Sequence, residues 1–211
     1  MKKLITLFFG ASLMFATSAQ AAGLVGVKLG VGELDAENNS YTAGSTTVAS
    51  QSASKDNEFA AIFGEVELSQ VEGLSLGLEY VPFTATIRLD KGESGTGADV
   101  EDYKTLYALY MKELAEGNVY FKAGYSHAEI GTVTNANGTT VNSQDDSLEG
   151  PMIGIGFQSA EMANGMVGRV EATYTDLEDV SITTTSNGSS SVKKTGSGEI
   201  TTFTVSLAKS F

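Results

Sequence analysis

From residue 24 onward the chain alternates apolar and polar positions with a period of two, which is the period of a half-buried strand and not of a helix. In 24–31, Val25, Val27, Leu29 and Val31 share one face, and Gly26, Lys28 and Gly30 share the other. In 58–69, Ala60, Ile62, Val66 and Leu68 oppose Phe59, Phe63, Glu65 and Glu67. In 74–83, Leu74, Leu76, Leu78 and Tyr80 oppose Ser75, Gly77 and Glu79. The same reading of 103–112 sets an apolar face of Tyr103, Tyr107, Leu109 and Met111 against Lys104, Ala108, Tyr110 and Lys112. Next, Val119, Phe121, Ala123 and Tyr125 oppose Tyr120, Lys122, Gly124 and Ser126. Pro151, Ile153, Ile155 and Phe157 oppose Gly154, Gly156 and Gln158, and Val170, Ala172 and Tyr174 oppose Arg169, Glu171 and Thr173. Last, Phe203, Val205, Leu207 and Phe211 oppose Thr202, Thr204, Ser206, Ala208 and Ser210. These make about eight strands, each with one apolar face and one small, polar or charged face.

The segments between strands alternate in length. Long ones lie near 38–57, 90–102, 131–147 and 179–198, and short ones at 69–73, 113–118 and 159–166. The long tracts are rich in Ser, Thr, Asn and Gly and bury little apolar surface. Asn137-Gly138 and Asn187-Gly188 stand mid-tract, where a tight turn with positive φ wants them. Long connections at one end and short turns at the other predict an all-β fold, an eight-stranded antiparallel up-and-down barrel, whose closure removes exposed edges. No change of composition divides 22–211, so one barrel domain is expected.

The N-terminus carries an address. Met1-Lys2-Lys3 is cationic, 4–15 is apolar, and Ala16-Thr17-Ser18-Ala19-Gln20-Ala21 supplies the small residues of a cleavage site, so 1–21 reads as a secretory signal peptide. The apolar run falls short of the roughly 20 residues a spanning helix needs. Loss of Lys2 and Lys3 leaves 11 Lys and Arg against 26 Asp and Glu, a mature charge of −15. That balance argues against nucleic-acid binding and against polybasic attachment to a lipid surface. The absence of cysteine removes disulfides, thiolate metal sites, Cys nucleophiles and a lipid-anchored Cys. A mean hydropathy of −0.02 suggests a soluble protein, but it averages two faces of opposite character.

Alternation leaves open which face is inside. A secreted lipocalin-like carrier would turn the apolar face inward around a ligand, whereas an outer-membrane barrel would turn it out to lipid. The polar faces favour the second. They mix Gly, Ala and Ser with charges of both signs, which suits the narrow lumen of a small barrel. Counted from the short-turn end, Lys28, Glu65, Glu79, Lys122 and Glu171 fall at similar heights, with Arg169 just below. Cations and carboxylates at one level can pair and fill the lumen.

The final strand ends at Phe211 behind alternating Phe203, Val205 and Leu207. This resembles the terminal strand of Gram-negative outer-membrane barrels, whose last residue is usually Phe and serves as an assembly signal. Lys209 departs from that pattern, and at a membrane rim its amine can snorkel to water. Signal peptide, alternating strands, alternating connections and terminal Phe together resemble the small outer-membrane barrel family typified by the transmembrane domain of outer membrane protein A. The resemblance implies a monomeric barrel in the cell outer membrane, contacting outer-membrane lipid and lipopolysaccharide and inserted by the barrel-assembly machinery. Tyr80, Tyr103, Tyr125 and Tyr174 towards the long-loop end, with Phe121, Phe157 and Phe211 towards the other, are placed as two interfacial belts.

Reactive groups are scarce. The single histidine, His127, follows Ser126, but neighbours on a strand point to opposite faces. Glu129 shares its face and could orient the ring, yet the next residue on that face is Gly131, so no nucleophile completes a triad. The acidic clusters Asp145-Asp146 and Asp99-Val100-Glu101-Asp102 lack the ligand spacing of a calcium loop. No enzyme, metal site or cofactor is expected. The expected function is structural and surface-exposed, a barrel presenting four long polar extracellular loops. The alternatives are a narrow pore for ions or small solutes, and a soluble ligand carrier.

Overall fold

A computed structural model describes residues 22–43, 46–82, 85–88, 97–134, 140–141, 147–186 and 190–211. The signal segment 1–21, Asn137-Gly138, Asp145-Asp146 and Asn187-Gly188 lie outside the described residues.

The alternating segments form β1 (Gly23–Asn38), β4 (Gln51–Glu67), β5 (Leu74–Val81), β7 (Gly97–Leu114), β8 (Gly117–Thr134), β10 (Ser147–Ser159), β11 (Met166–Ser186) and β12 (Ser190–Ser210). Shorter pieces are β2 (Tyr41–Ala43), β3 (Thr46–Val48), β6 (Ala85–Arg88), which continues β5 along β7, and β9 (Thr140–Val141). Each long strand pairs antiparallel with the next, and β1 pairs with β12 from Leu24↔Ser210 to Asn38↔Gly196, which closes the ring. Closure leaves the backbone of the apolar band satisfied by its neighbours, a requirement for any strand that faces lipid.

The short connections are tight. Leu114 pairs with Gly117, leaving Ala115-Glu116 as the turn. Gly73 takes φ +76 and Met111 N donates to its carbonyl at 2.7 Å, so a side chain there would meet the Met111 backbone. At the third turn Asn164 and Gly165 both take positive φ. At the other end much of what reads as connection is strand: 51–57, 97–102, 131–134, 179–186 and 190–198 all belong to long strands. Ser and Thr in these tracts carry the ladder outward in place of apolar residues. β11 and β12 reach 21 residues each, about twice what a membrane crossing needs.

The apolar face points out. Val25, Val27, Leu29 and Val31 are 54–61% exposed, while Lys28 between them is 4% exposed. Ile62, Leu76, Phe121, Ile153, Phe157, Val170, Phe203 and Val205 join this exterior band. One strand reverses the expectation. In β7 the lumen receives Tyr103, Thr105, Tyr107 and Leu109, whereas Leu106 and Tyr110 face out. The strand carries bulky apolar residues at both parities, so alternation alone does not choose between them. The choice is made by space, because Tyr107 is the direct cross-strand partner of both Gly77 and Gly124. A side chain at Gly77 would occupy the Tyr107 ring.

The chain's 2 prolines interrupt the ring. The β4–β5 ladder stops at Ile62↔Tyr80, just before Pro82, and the β10–β11 ladder stops at Met152↔Thr175, just before Pro151. Beyond these points β4-β1-β12-β11 and β6-β7-β8-β10 run outward as two separately paired groups among the described residues.

Candidate functional site

The lumen is filled in layers. Nearest the short turns, Phe63, Val167 and Ala208 pack with Leu24 as an apolar floor. Phe63 extends over its cross-strand partner Gly26, which has no side chain to obstruct it. On the opposite side Tyr107, Leu109, Tyr120 and Met152 cluster, backed by Met111. Tyr120 likewise lies over its partner Gly156. Large ring against glycine, repeated around the wall, is how a narrow barrel fills its interior.

Beside and above this floor the six expected charges are all brought into the lumen, in two groups. Arg169 meets Glu65 with two parallel hydrogen bonds of 2.6 and 2.7 Å, and its Nε donates to Gln158 Oε1 at 2.7 Å. Glu65 therefore sits with Arg169 and not at the level of the other four. Those four form an alternating ring: Lys28 Nζ lies 2.6 Å from both Glu79 and Glu171, and Lys122 Nζ lies 2.9 Å from Glu79 and 3.2 Å from Glu171. The six side chains carry three positive and three negative charges and are all buried. Burying an ion pair is tolerated when further hydrogen bonds satisfy the remaining lone pairs. Tyrosines do this here, Tyr107 donating to Glu65 at 2.8 Å and Tyr120 to Glu171 at 3.1 Å. The Tyr107 ring also stacks 3.9 Å from Lys122 Nζ, an additional attraction for the cation.

Outward of the ring lies a hydroxyl layer. Tyr103 donates to Ser126 at 2.9 Å and lies 3.2 Å from Thr175, Thr105 lies 2.9 Å from Ser126, and Thr173 and Thr202 meet at 2.7 Å. Tyr103 thus belongs to the lumen and not to the outer aromatic belt. Above it Leu34, Val100, Ala128, Leu148, Leu177 and Ile200 surround a small apolar recess, with the Tyr103 ring beneath.

The exterior rim pairs aromatic and acidic groups. Tyr80, Tyr125 and Tyr174 face outward at the upper edge of the apolar band. Tyr80 donates to Asp102 at 2.6 Å and Tyr125 to Glu178 at 2.9 Å. Asp102 holds φ 56 in a bulge of β7, and the Tyr80 hydrogen bond, helped by Lys104 at 3.5 Å, keeps its carboxyl below the ordinary range despite some desolvation. The His127 ring is oriented by Glu149, 3.0 Å from Nδ1, and not by the expected Glu129. Glu149 is the directly paired residue on β10, a relation that spacing within one strand does not reveal. Among the described residues no group of three or more His, Cys, Asp or Glu side chains is placed to hold a metal ion.

Phe203, Val205, Leu207 and Phe211 face outward, 47–72% exposed. Lys209 lies on the same exterior face and its amine donates to the Asn164 carbonyl at the third turn. Of the lumen residues that hold the charges, parity misplaces Tyr107, whereas Tyr120 and Gln158 lie on the polar face read from the sequence. The sequence signal for Tyr107 is indirect: a glycine, Gly77, at the same level on the neighbouring strand.

Compared by sequence with known proteins, the chain matches no family model and no curated protein. Compared by structure, it is similar to several solved barrels. The outer membrane protein OprG from Pseudomonas aeruginosa aligns at a TM-score of 0.69 with 14% identity, over 91% of this chain and 97% of that one. The outer membrane protein AlkL, determined in lipid bilayers, aligns at 0.65 with 12% identity over 91% and 90%. Neisserial surface protein A aligns at 0.51 with 16% identity over 89% and 97%. The fold is that of the small outer-membrane β-barrels.

Proposed function

We propose that the protein is an integral outer-membrane barrel with a sealed lumen, whose role is to hold polar outer strands and their connections at the cell surface. The observation that carries this reading is the division of surfaces: a continuous apolar exterior around an interior closed by the ring Lys28–Glu79–Lys122–Glu171. Such an exterior in water would be an apolar patch far larger than soluble monomers carry, and lipid removes that cost. The proposal includes a monomer that contacts outer-membrane lipid and lipopolysaccharide, is delivered by the barrel-assembly machinery through the Phe203–Val205–Leu207–Phe211 pattern, and has no catalytic role. The filled lumen supports a closed anchor over a narrow pore. The charged middle layer weighs against a soluble carrier, which needs an apolar cavity there. The test is extraction: the protein stays with membranes until detergent is added, and unheated and heated samples run differently on gels. Full solubility without detergent overturns the reading.

A further inference from the structure

The β10–β11 ladder ends early. It runs from Gln158↔Arg169 to Met152↔Thr175, although β10 continues to Ser147 along β8 and β11 continues to Ser186 along β12. The stop falls at Pro151, whose nitrogen has no hydrogen to give. At the adjoining Gly150 a side chain has no room, because the Asp176 carbonyl and Leu177 backbone take up its place. β11 therefore crosses the end of β10 backbone against backbone, with Leu177 turned into the lumen and 4% exposed. Immediately afterwards the register of β11 on β12 shifts between Leu177 and Val180, and Glu178 and Asp179 lie on the exterior.

Among the described residues, one exterior side-chain hydrogen bond spans this break. Tyr125 on β8 is the cross-strand partner of Pro151, and its hydroxyl reaches past β10 to Glu178 Oε1 on β11 at 2.9 Å. That hydrogen bond joins β8 to β11 on the exterior, at a height where no ladder joins β10 to β11. The neighbouring Tyr174 makes a chemically similar hydrogen bond to Glu199, but there the two strands are continuously paired, Tyr174 with Thr201 and Asp176 with Glu199.

We propose that the β10/β11 seam is a hinge and that Tyr125–Glu178 is its clasp. With the clasp closed, the outer halves of β11 and β12 rest against β10. With it open, they move together with the outer halves of β1 and β4, to which β12 stays paired as far as Asn38↔Gly196, as one leaf about Met152↔Thr175, while the strands below stay zipped. The polar outer half of the molecule thereby gains a freedom that the lipid-facing band does not share.

Amide hydrogen exchange of the full-length mature chain, refolded in detergent micelles, tests this. Tyr125→Phe and Glu178→Ala should each raise exchange at 147–150 and 176–186 by about tenfold, the effect of losing one hydrogen bond, and the double variant should add little. Exchange at 169–175 should stay unchanged, and Tyr174→Phe should leave the whole seam as in wild type. Gly150→Ala, which drives β11 off β10, should mimic the open clasp. All variants are first checked for the folded, heat-sensitive gel band. Wild-type exchange in Tyr125→Phe overturns the clasp even if Gly150→Ala loosens the seam. An equal rise in Tyr174→Phe, or in 169–175, shows general loosening and overturns the hinge.

Discussion

At the scale of single residues, the lumen works because each buried charge has at least one opposite neighbour. Lys122 touches both Glu79 and Glu171, so Lys122→Met leaves two carboxylates sharing Lys28 in a site closed to water. Removing one member of a buried pair typically costs about 3–5 kcal/mol, whereas removing both costs much less. Urea unfolding in detergent should therefore rank Lys122→Met as less stable than Lys122→Met/Glu79→Gln, and the opposite order would mean that the ring is solvated. The rim behaves differently. The carboxyl of Asp102 is held low chiefly by the Tyr80 hydroxyl. A depressed folded value means the contact stabilises fully above the ordinary carboxylate pKa and is lost as pH falls through the lowered one. Carbon-detected NMR titration should find the Asp102 midpoint below the usual range, and Tyr80→Phe should move it back up. An unmoved midpoint would assign the depression to Lys104 instead.

At the scale of elements, seven of the eight long strands follow the parity read from their sequences, because each offers a clear contrast such as Val25-Gly26-Val27-Lys28. The four ring charges were legible for the same reason: a charge between two outward-facing aliphatic or aromatic residues has only the lumen to go to. β7 was not legible, since Leu106, Tyr107, Ala108, Leu109 and Tyr110 give no contrast, and the deciding information lies on β5 and β8 as Gly77 and Gly124. The outer tracts misled in another way. Ser- and Thr-rich sequence reads as connection, yet antiparallel pairing with an equally long neighbour needs no apolar face outside the membrane. Since the chain has no cysteine, the β7 assignment can be checked with single substitutions. Tyr110→Cys should be reached by a lipid-soluble maleimide or quencher in vesicles, whereas Tyr107→Cys should not. Reversed reactivity would restore the parity read from sequence.

At the scale of the molecule, the question is whether the barrel conducts. Three closures lie in series: the apolar floor at Phe63, Val167 and Ala208, the charge layer with its tyrosines, and the apolar mouth around Leu34 and Leu177. An ion crossing the first and last would shed its hydration among apolar side chains, and one crossing the middle would have to break paired charges. Series closure makes the current insensitive to the loss of any one layer. Planar-bilayer recordings should therefore show no steady conductance for wild type, nor for Phe63→Ala, which opens the floor but leaves the bidentate Arg169–Glu65 pair beside it. Combining Phe63→Ala with Lys122→Ala removes a floor ring and a ring cation together, and brief openings are expected first in that double variant. Steady conductance in wild type would refute the sealed anchor, and steady conductance in Phe63→Ala alone would show that the charge layer is a permeable lining and not a plug.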